Sequence, residues 1–171
     1  PRGDKLPDTF KGKVCLKVGD NISTDHIVPS DSKLLPYRSN VPHLAKFSFC
    51  KVDDQFYNRC IENGGGFIVG GDNYGQGSSR EHAALVPNYL KIKAIFAISF
   101  ARIHRSNLIN NGILPLVINQ KDYDFFNDQD EYDKYSRDME NIKTKNDNFL
   151  TAFRENPSDK DIFLYLPSYD I

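Results

Sequence analysis

The chain has 171 residues, of which 39% are hydrophobic and 26% are charged, and its formal net charge is −1. This length suits one domain with its own core, and the composition is typical of a soluble globular protein. The near-neutral charge argues against binding nucleic acid or membranes through overall charge. The longest apolar run, residues 94–98, is too short to cross a bilayer.

The chain starts at Pro1 and shows no signal-peptide pattern, which predicts a piece of a longer polypeptide. The predicted location is the cytoplasm, or the mitochondrial matrix if the source is a eukaryote. Cys15, Cys50 and Cys60 are odd in number and lack C-x-x-C spacing. They are therefore interpreted as free thiols in or near the core.

The first predicted element is a strand over residues 13–18, where apolar side chains alternate loosely before Gly19-Asp20. Residues 21–40 are polar and interrupted by prolines, which predicts a long functional loop. A helix is predicted over residues 47–61, because apolar side chains recur there at a spacing of four and Asn63-Gly64 follows.

Residues 75–85 are the most informative segment of the chain. They follow a short apolar strand, residues 67–69, and a glycine-containing turn. Ser78 and Glu81 have the spacing of a capping box, which predicts that a helix begins at this point. The unpaired amides of a helix start attract anions, and Arg80 adds a permanent positive charge. The segment therefore predicts a site for a carboxylate or an oxyanion.

The next elements alternate between strand and helix. A pause or kink at Pro87 is followed by a buried strand over 94–98, a helix over 100–111 that Gly112 ends, and a buried strand over 113–118. Three apolar residues are predicted to form the inward face of that helix, namely Phe100, Ile103 and Leu108. This alternation predicts an α/β domain with a largely parallel central sheet.

The character of the sequence changes after Gln120. Residues 121–148 carry nine acidic and five basic residues and few aliphatic ones, which predicts a solvated, partly helical insert. A helix that contains Phe153 is then predicted to end before Asn156-Pro157, and residues 162–166 are predicted to form a final strand. The domain prediction is one unit over 1–171 with its core over about 13–118 and a divergent, charged part over 120–171.

Two interpretations of Ser78 follow from the residues alone. It caps a helix, as most serines with this spacing do, or it belongs to a functional site. Gly75 and Gly77 favour the second interpretation because they let a ligand approach the backbone closely. Ser79 and Arg80 crowd the same point of the chain, and the long loop over 21–40 could reach it.

Four segments, in order, resemble the C-terminal swivel domain of the aconitase superfamily. They are residues 19–27, residues 36–40, the sequence YGQGSSREHAAL over 74–85, and residues 99–108 leading into 112–116. The resemblance runs from about Gly19 to about Ile118. It implies a swivelling β/β/α domain with a largely parallel central sheet.

The resemblance also implies roles for individual residues. Ser78 is implied to be the catalytic base, which removes a proton from the carbon next to a carboxylate. Ser79 and Arg80 are implied to bind a substrate carboxylate, Arg38 to be a second carboxylate-binding arginine, and Asp25 to be an active-site aspartate. From the residues alone, Arg38 could instead be a solvated loop arginine and Asp25 a cap or turn residue. His26, His82 and His104 are interpreted as structural or surface residues.

The resemblance implies a 4Fe-4S cluster in the whole enzyme, bound by domains outside this chain, and no cofactor or metal bound by this chain. The implied partners are cluster-bearing aconitase domains, in the same polypeptide or as a large subunit, and a tricarboxylate substrate. The chain alone is expected to be inactive.

The first functional prediction is the swivel domain of an aconitate hydratase, a hydro-lyase that interconverts citrate and isocitrate. Asp25-His26, Gln76 and the Ala-Ala-Leu after His82 favour it. The alternative is the small subunit of an isopropylmalate or homoaconitate isomerase. A second alternative, a noncatalytic RNA-binding relative, is disfavoured by the near-neutral charge and the complete Ser-Ser-Arg motif.

Overall fold

The computed structural model describes residues 9–126, 153–156 and 161–165. The chain divides into two compact units, one of residues 14–127 and one of residues 1–13 with 128–171. Within the described residues, no helix has the length and apolar character needed to span a membrane.

The described residues form seven strands: β1 (Thr9–Gly12), β2 (Val14–Lys17), β3 (Gly66–Gly70), β4 (Ile92–Ala97), β5 (Leu114–Val117), β6 (Phe153–Asn156) and β7 (Asp161–Tyr165). They also form six α-helices: α1 (Thr24–Ile27), α2 (Val41–Ala45), α3 (Phe56–Asn63), α4 (His82–Tyr89), α5 (Arg102–Asn110) and α6 (Gln120–Phe125). A 3-10 turn covers Leu35–Tyr37 within the long loop.

The larger unit is built on a four-stranded sheet in the order β2-β3-β4-β5, and every neighbouring pair is parallel. Every residue of β3 is buried, as the apolar run predicts for a strand that is covered on both faces. β5 differs from the prediction of a buried strand, because it lies at the sheet edge and is only half-buried. Its Val117 is 58% exposed.

The prediction of one helix over 47–61 is wrong at its start. The structure has α2, then turns, and then α3, which ends at Asn63 with Gly64 in a left-handed conformation (φ 70°) as predicted. The break occurs because Phe49 adopts φ 55° and is fully buried. Its amide donates to the carbonyl of Ile27 at 3.1 Å, a long-range contact that local periodicity does not reveal.

The predicted capping box of Ser78 and Glu81 is also wrong. α4 begins at His82, with Glu81 as N-cap and no side-chain capping bond. The backbone before the helix instead pairs with the segment before α1. The amide of Gly75 donates to the carbonyl of Ile22 at 2.7 Å, and the amide of Thr24 donates to the carbonyl of Gln76 at 2.9 Å. This pairing delays the helix by four residues beyond Ser78.

The smaller unit contains a three-stranded antiparallel sheet in the order β1-β7-β6. β7 confirms the predicted final strand. The helix predicted around Phe153 is wrong, because Phe153–Asn156 is β6 and pairs with β7 from Phe153↔Leu164 to Asn156↔Asp161. α6 begins the predicted charged insert, and the rest of that insert lies outside the described residues.

Candidate active site

A cavity of ≈ 210 Å³ lies between the segment that precedes α4 and the start of α5. Its lining comes from two stretches of chain and one residue of α1: Gly75, Gly77, Ser78, Ser79 and Arg80, then Ala101, Arg102, Ile103, His104 and Asn107, and finally Thr24. The lining therefore includes a threonine, two serines, two arginines and the first turn of a helix.

The two walls are joined through the backbone of Tyr74. Its amide donates to the carbonyl of Ser99 at 3.0 Å, and its carbonyl accepts from the amide of Ala101 at 2.9 Å. This bridge places the residues after β3 directly against the residues after β4. The site consequently forms beyond the carboxyl ends of the parallel strands, where open α/β sheets bind ligands.

Gly75 makes the close approach of the two walls possible. It has φ +83°, and a Cβ atom at this position would lie 2.0 Å from Cδ2 of His104. We expect Gly75→Ala to lower the free energy of unfolding by roughly 2–5 kcal/mol, from the left-handed backbone and the overpacking together.

Urea denaturation of Gly75→Ala and Gly64→Ala separates the two contributions. Gly64 has φ +70°, and a Cβ atom added there would have no heavy atom within 4 Å, so its substitution carries only the backbone cost, about 1–2 kcal/mol. Equal losses in the two variants would contradict a steric role for Gly75.

The Arg80 guanidinium is fixed in place by neighbouring loops. Nη1 donates to the carbonyl of Val28 at 3.0 Å, and Nη2 donates to Oγ1 of Thr24 at 3.2 Å. Nη2 also lies 3.4 Å from Oδ1 of Asp25. Nε is buried and has no partner within the described part of the chain. Arg80 is therefore a preorganised cation whose Nε has no partner among the described residues.

Asp25 contacts Arg80 without lining the cavity, and its carboxylate is itself fixed by hydrogen bonds. Its Oδ1 accepts from the amide of Ser30 at 2.9 Å and from the hydroxyl of Ser30 at 2.8 Å, and its Oδ2 accepts from Nζ of Lys51 at 3.1 Å. The Ser30 hydrogen bonds, followed by Lys51, lower the pKa of Asp25 well below its usual range. The Asp25 carboxylate thus joins α1 to Ser30 and Lys51 and positions the guanidinium of Arg80.

Ser78 and Ser79 are exposed and lie on the cavity wall. The carbonyl of Ser78 accepts a hydrogen bond from Oγ1 of Thr24 at 3.0 Å, which fixes the backbone at this point. Thr24 thus contacts both Ser78 and Arg80. The structure brings Ser78, Ser79 and Arg80 together at the cavity, with Asp25 behind them.

The structure does not bring the Arg38 side chain to the cavity. Arg38 is exposed, and its described contact is through its carbonyl, 2.9 Å from Nε2 of His82. His82 therefore ties the loop to α4. His26 is also structural, because its Nδ1 accepts from the amide of Ser23 at 3.1 Å in a capping box at the start of α1.

The start of α5 is the part of the site that the sequence prediction missed. Arg102 is exposed beside the cavity, whereas His104 is only 2% exposed. Ile103, predicted to point inward, is 49% exposed, and Leu108 is buried as predicted. The sequence contains the relevant signal, an arginine at the start of a predicted helix. The prediction used this signal near Ser78 and overlooked it at Arg102.

Burial lowers the pKa of His104 from 6.5 to about 4. Between these pH values the unfolded chain binds a proton at His104 that the folded chain does not. The free energy of unfolding is therefore unaffected by this group above pH 6.5 and decreases as the pH falls towards 4. We expect the fall in pH from 6.5 to 4 to lower the free energy of unfolding by up to about 3 kcal/mol. Denaturation of wild type and His104→Gln on both sides of the window tests this, and an unchanged slope in the variant would contradict it.

The cysteines do not form a set that fits an iron–sulfur cluster. Cys15 on β2 and Cys60 on α3 are buried, and Cys15 Sγ donates to the carbonyl of Gly65 at 3.2 Å. Cys50 is exposed on a separate turn. Within the described residues, no group of three or more His, Cys, Asp or Glu side chains is arranged to hold a metal ion.

The larger unit is thus a parallel α/β domain in which serine, threonine and arginine residues line a small cavity. Residues 55–121 match the family model described as the aconitase C-terminal domain. The chain is 42% identical over 146 residues to 3-isopropylmalate dehydratase small subunit 1 of Thermotoga maritima, which covers 85% of this chain and 80% of that protein.

Other relatives share shorter stretches. The small subunit 2 of 3-isopropylmalate dehydratase from Archaeoglobus fulgidus is 46% identical over 106 residues, covering 62% of this chain and 61% of that protein. A probable mitochondrial aconitate hydratase of Dictyostelium discoideum is 62% identical over 58 residues, which is 33% of this chain and 8% of that protein. The matched stretch thus spans less than two thirds of the Archaeoglobus protein.

A crystal structure of 3-isopropylmalate dehydratase from Methanocaldococcus jannaschii has the same fold. The TM-score is 0.57 with 37% sequence identity, over 66% of this chain and 64% of that chain. The chain belongs to the aconitase superfamily and carries its C-terminal domain fold. The predicted family and the predicted α/β swivel fold are confirmed.

Proposed function

We propose that this chain is the swivel component of a hydro-lyase that moves a hydroxyl group on a small polycarboxylate by dehydration and rehydration. The observation that carries the proposal is the cavity that places Ser78 and Ser79 beside the preorganised Arg80. The relatives named as dehydratase small subunits support the class of reaction.

Ser78 is the proposed base that removes a proton from the carbon next to a carboxylate. A serine hydroxyl is a very weak acid, so its alkoxide requires nearby positive charge and hydrogen-bond donors. Two arginines, Arg80 and Arg102, line the cavity, and no acidic residue is among its lining residues. The same charges stabilise the negative charge that develops on the substrate carboxylate as the proton leaves.

Arg80 and Ser79 are the proposed carboxylate ligands. Because the Nη groups of Arg80 are held by Val28, Thr24 and Asp25, the guanidinium cannot turn away when the substrate is absent. A fixed cation with a free Nε donor needs little reorganisation at the moment of reaction. Arg38 remains a proposed additional carboxylate ligand, which would have to reach the substrate from the loop.

The proposed partner is a set of cluster-bearing aconitase domains, as a large subunit or as other domains of the same polypeptide. The relatives named as small subunits support a partner of this kind. The cysteines of this chain do not fit the cluster, so its residues would bind and orient the substrate and accept the proton.

Two substrates are proposed, each on a separate observation. 3-Isopropylmalate comes first because a relative with this name aligns over 85% of the chain. This ranking reverses the order of the sequence prediction. Citrate comes second, because the local identity to a probable aconitate hydratase reaches 62%.

The experiment is a turnover assay of the chain assembled with its proposed cluster-bearing partner on 3-isopropylmalate, on citrate and, as a comparison, on homocitrate. Formation of the unsaturated intermediate is followed by its ultraviolet absorbance. We expect one of the three to be converted with a kcat/KM at least about tenfold above the others, the discrimination that contacts worth about 1.4 kcal/mol provide. Absence of turnover on all three would refute the proposed function.

A further inference from the structure

We propose that the start of α5 is a second carboxylate-binding subsite, so that the cavity holds two carboxylate groups of one substrate, one at Arg80 and one at Arg102. The inference deepens the proposed function and rests on it for the identity of the substrate. The first turn of α5 would bind the carboxylate that is not bound by Ser78, Ser79 and Arg80.

The first turn of α5 has free donors at the cavity. Its N-cap, Ala101, has no side chain that could cap the helix. The next amide to donate is that of Arg105, to the carbonyl of Ala101 at 3.0 Å. Within the described residues, the amides of Arg102, Ile103 and His104 donate to no acceptor. All three residues line the cavity, and such a helix start favours an anion.

His104 provides independent support for a ligand at this position. It is 2% exposed and lines the cavity, yet neither of its ring nitrogens has a partner within the described part of the chain. A neutral imidazole offers one donor and one acceptor, and buried polar groups are rarely left unpaired. On the opposite wall, Nε of Arg80 is likewise buried and unpaired. Unsatisfied donors on both walls are the arrangement expected around an anionic ligand.

The charge and the size of the cavity indicate the class of ligand. The lining includes two arginines and no acidic residue, which matches two carboxylates. The volume of ≈ 210 Å³ is smaller than the typical pocket for a drug-sized ligand, which is about 300–1,000 Å³. The cavity therefore suits a short polycarboxylate.

The test uses tricarballylate, a tricarboxylate without a hydroxyl group, which binds without being dehydrated. Its Kd for the full chain is measured by NMR titration for wild type, Arg102→Gln and Arg105→Gln. Arg105 is the matched control, because it is an exposed arginine on the same helix that does not line the cavity. We expect Arg102→Gln to weaken binding about tenfold or more, as loss of a charge-assisted hydrogen bond does, and Arg105→Gln to leave it within about twofold.

Arg102→Pro tests the amides together with the charge. Ala101 has φ −60° and ψ 129°, the extended backbone that a following proline requires, and proline is tolerated at the first helical position. This variant should bind tricarballylate more weakly than Arg102→Gln, because it loses one amide donor as well. The thermal melt of each variant, measured alongside, shows that the fold is kept.

Equal Kd values for Arg102→Gln and Arg105→Gln, or no saturable binding by wild type, would overturn the second subsite. The outcome is separate from that of the proposed function. Binding that depends on Arg102 in a chain whose assembled enzyme lacks turnover supports the subsite and refutes the function. Turnover with an unchanged KM in Arg102→Gln refutes the subsite alone.

Discussion

Ser78→Ala is expected to abolish turnover in the assembled enzyme while leaving substrate binding intact. A base lowers the barrier to proton removal, so its loss appears mainly in kcat, by roughly 10²–10⁴-fold for general-base catalysis. Because Ser78 does not cap α4, we expect the free energy of unfolding to stay within about 0.5 kcal/mol of wild type. Steady-state kinetics and urea denaturation measure both quantities.

Ser32→Ala is the matched control for this variant, since Ser32 is an exposed serine of the long loop that does not line the cavity. It should keep the wild-type kcat and KM. A Ser78→Ala enzyme with near-normal kcat would remove Ser78 as the base. A stability loss of about 0.5–2 kcal/mol without a kinetic effect would instead indicate a capping role.

Arg80→Lys is expected to raise KM by about tenfold or more, because lysine keeps the charge but loses the planar fork and the free Nε donor. The Nη contacts with Val28 and Asp25 are lost as well, so the remaining ammonium is no longer fixed in position. The measurement is the KM of the assembled enzyme together with the Kd of tricarballylate for the chain.

Arg105→Lys serves as the control for a conservative change at an exposed arginine outside the cavity lining. Unchanged KM and kcat in Arg80→Lys would remove Arg80 from the site. Arg38→Lys belongs in the same series. A raised KM would show that the loop brings Arg38 to the substrate in the assembled enzyme, and an unchanged KM would leave it as a solvated loop residue.

The sheet of the larger unit was predictable from sequence because its strands are short apolar runs between breakers. Residues 67–69 and 94–98 are such runs, and they became β3 and β4 with shifts of one or two residues. The break between α2 and α3 was not predictable, because it depends on where Phe49 packs. β6 was missed for a similar reason, since its strand character depends on pairing with β7.

The candidate site was predictable in composition but not in geometry. The segment that begins with Gly75 and Gly77 predicted three site residues, Ser78, Ser79 and Arg80, and all three line the cavity. The spacing of Ser78 and Glu81 indicated the wrong helix start, because local spacing does not show that Gly75 and Gln76 pair with Ile22. The helix start at the cavity is that of α5, which approaches across the Tyr74 bridge and is remote in sequence.

The most direct test of the central claim is reconstitution of activity from separate components. The proposed cluster-bearing partner is purified without this chain, and turnover on 3-isopropylmalate and citrate is measured as the chain is added. We expect no turnover by either component alone, a saturable rise on mixing, and no rise when the added chain carries Ser78→Ala. Full activity of the partner alone, or equal activity with the Ser78→Ala chain, would contradict the claim that this chain supplies the base of the reaction.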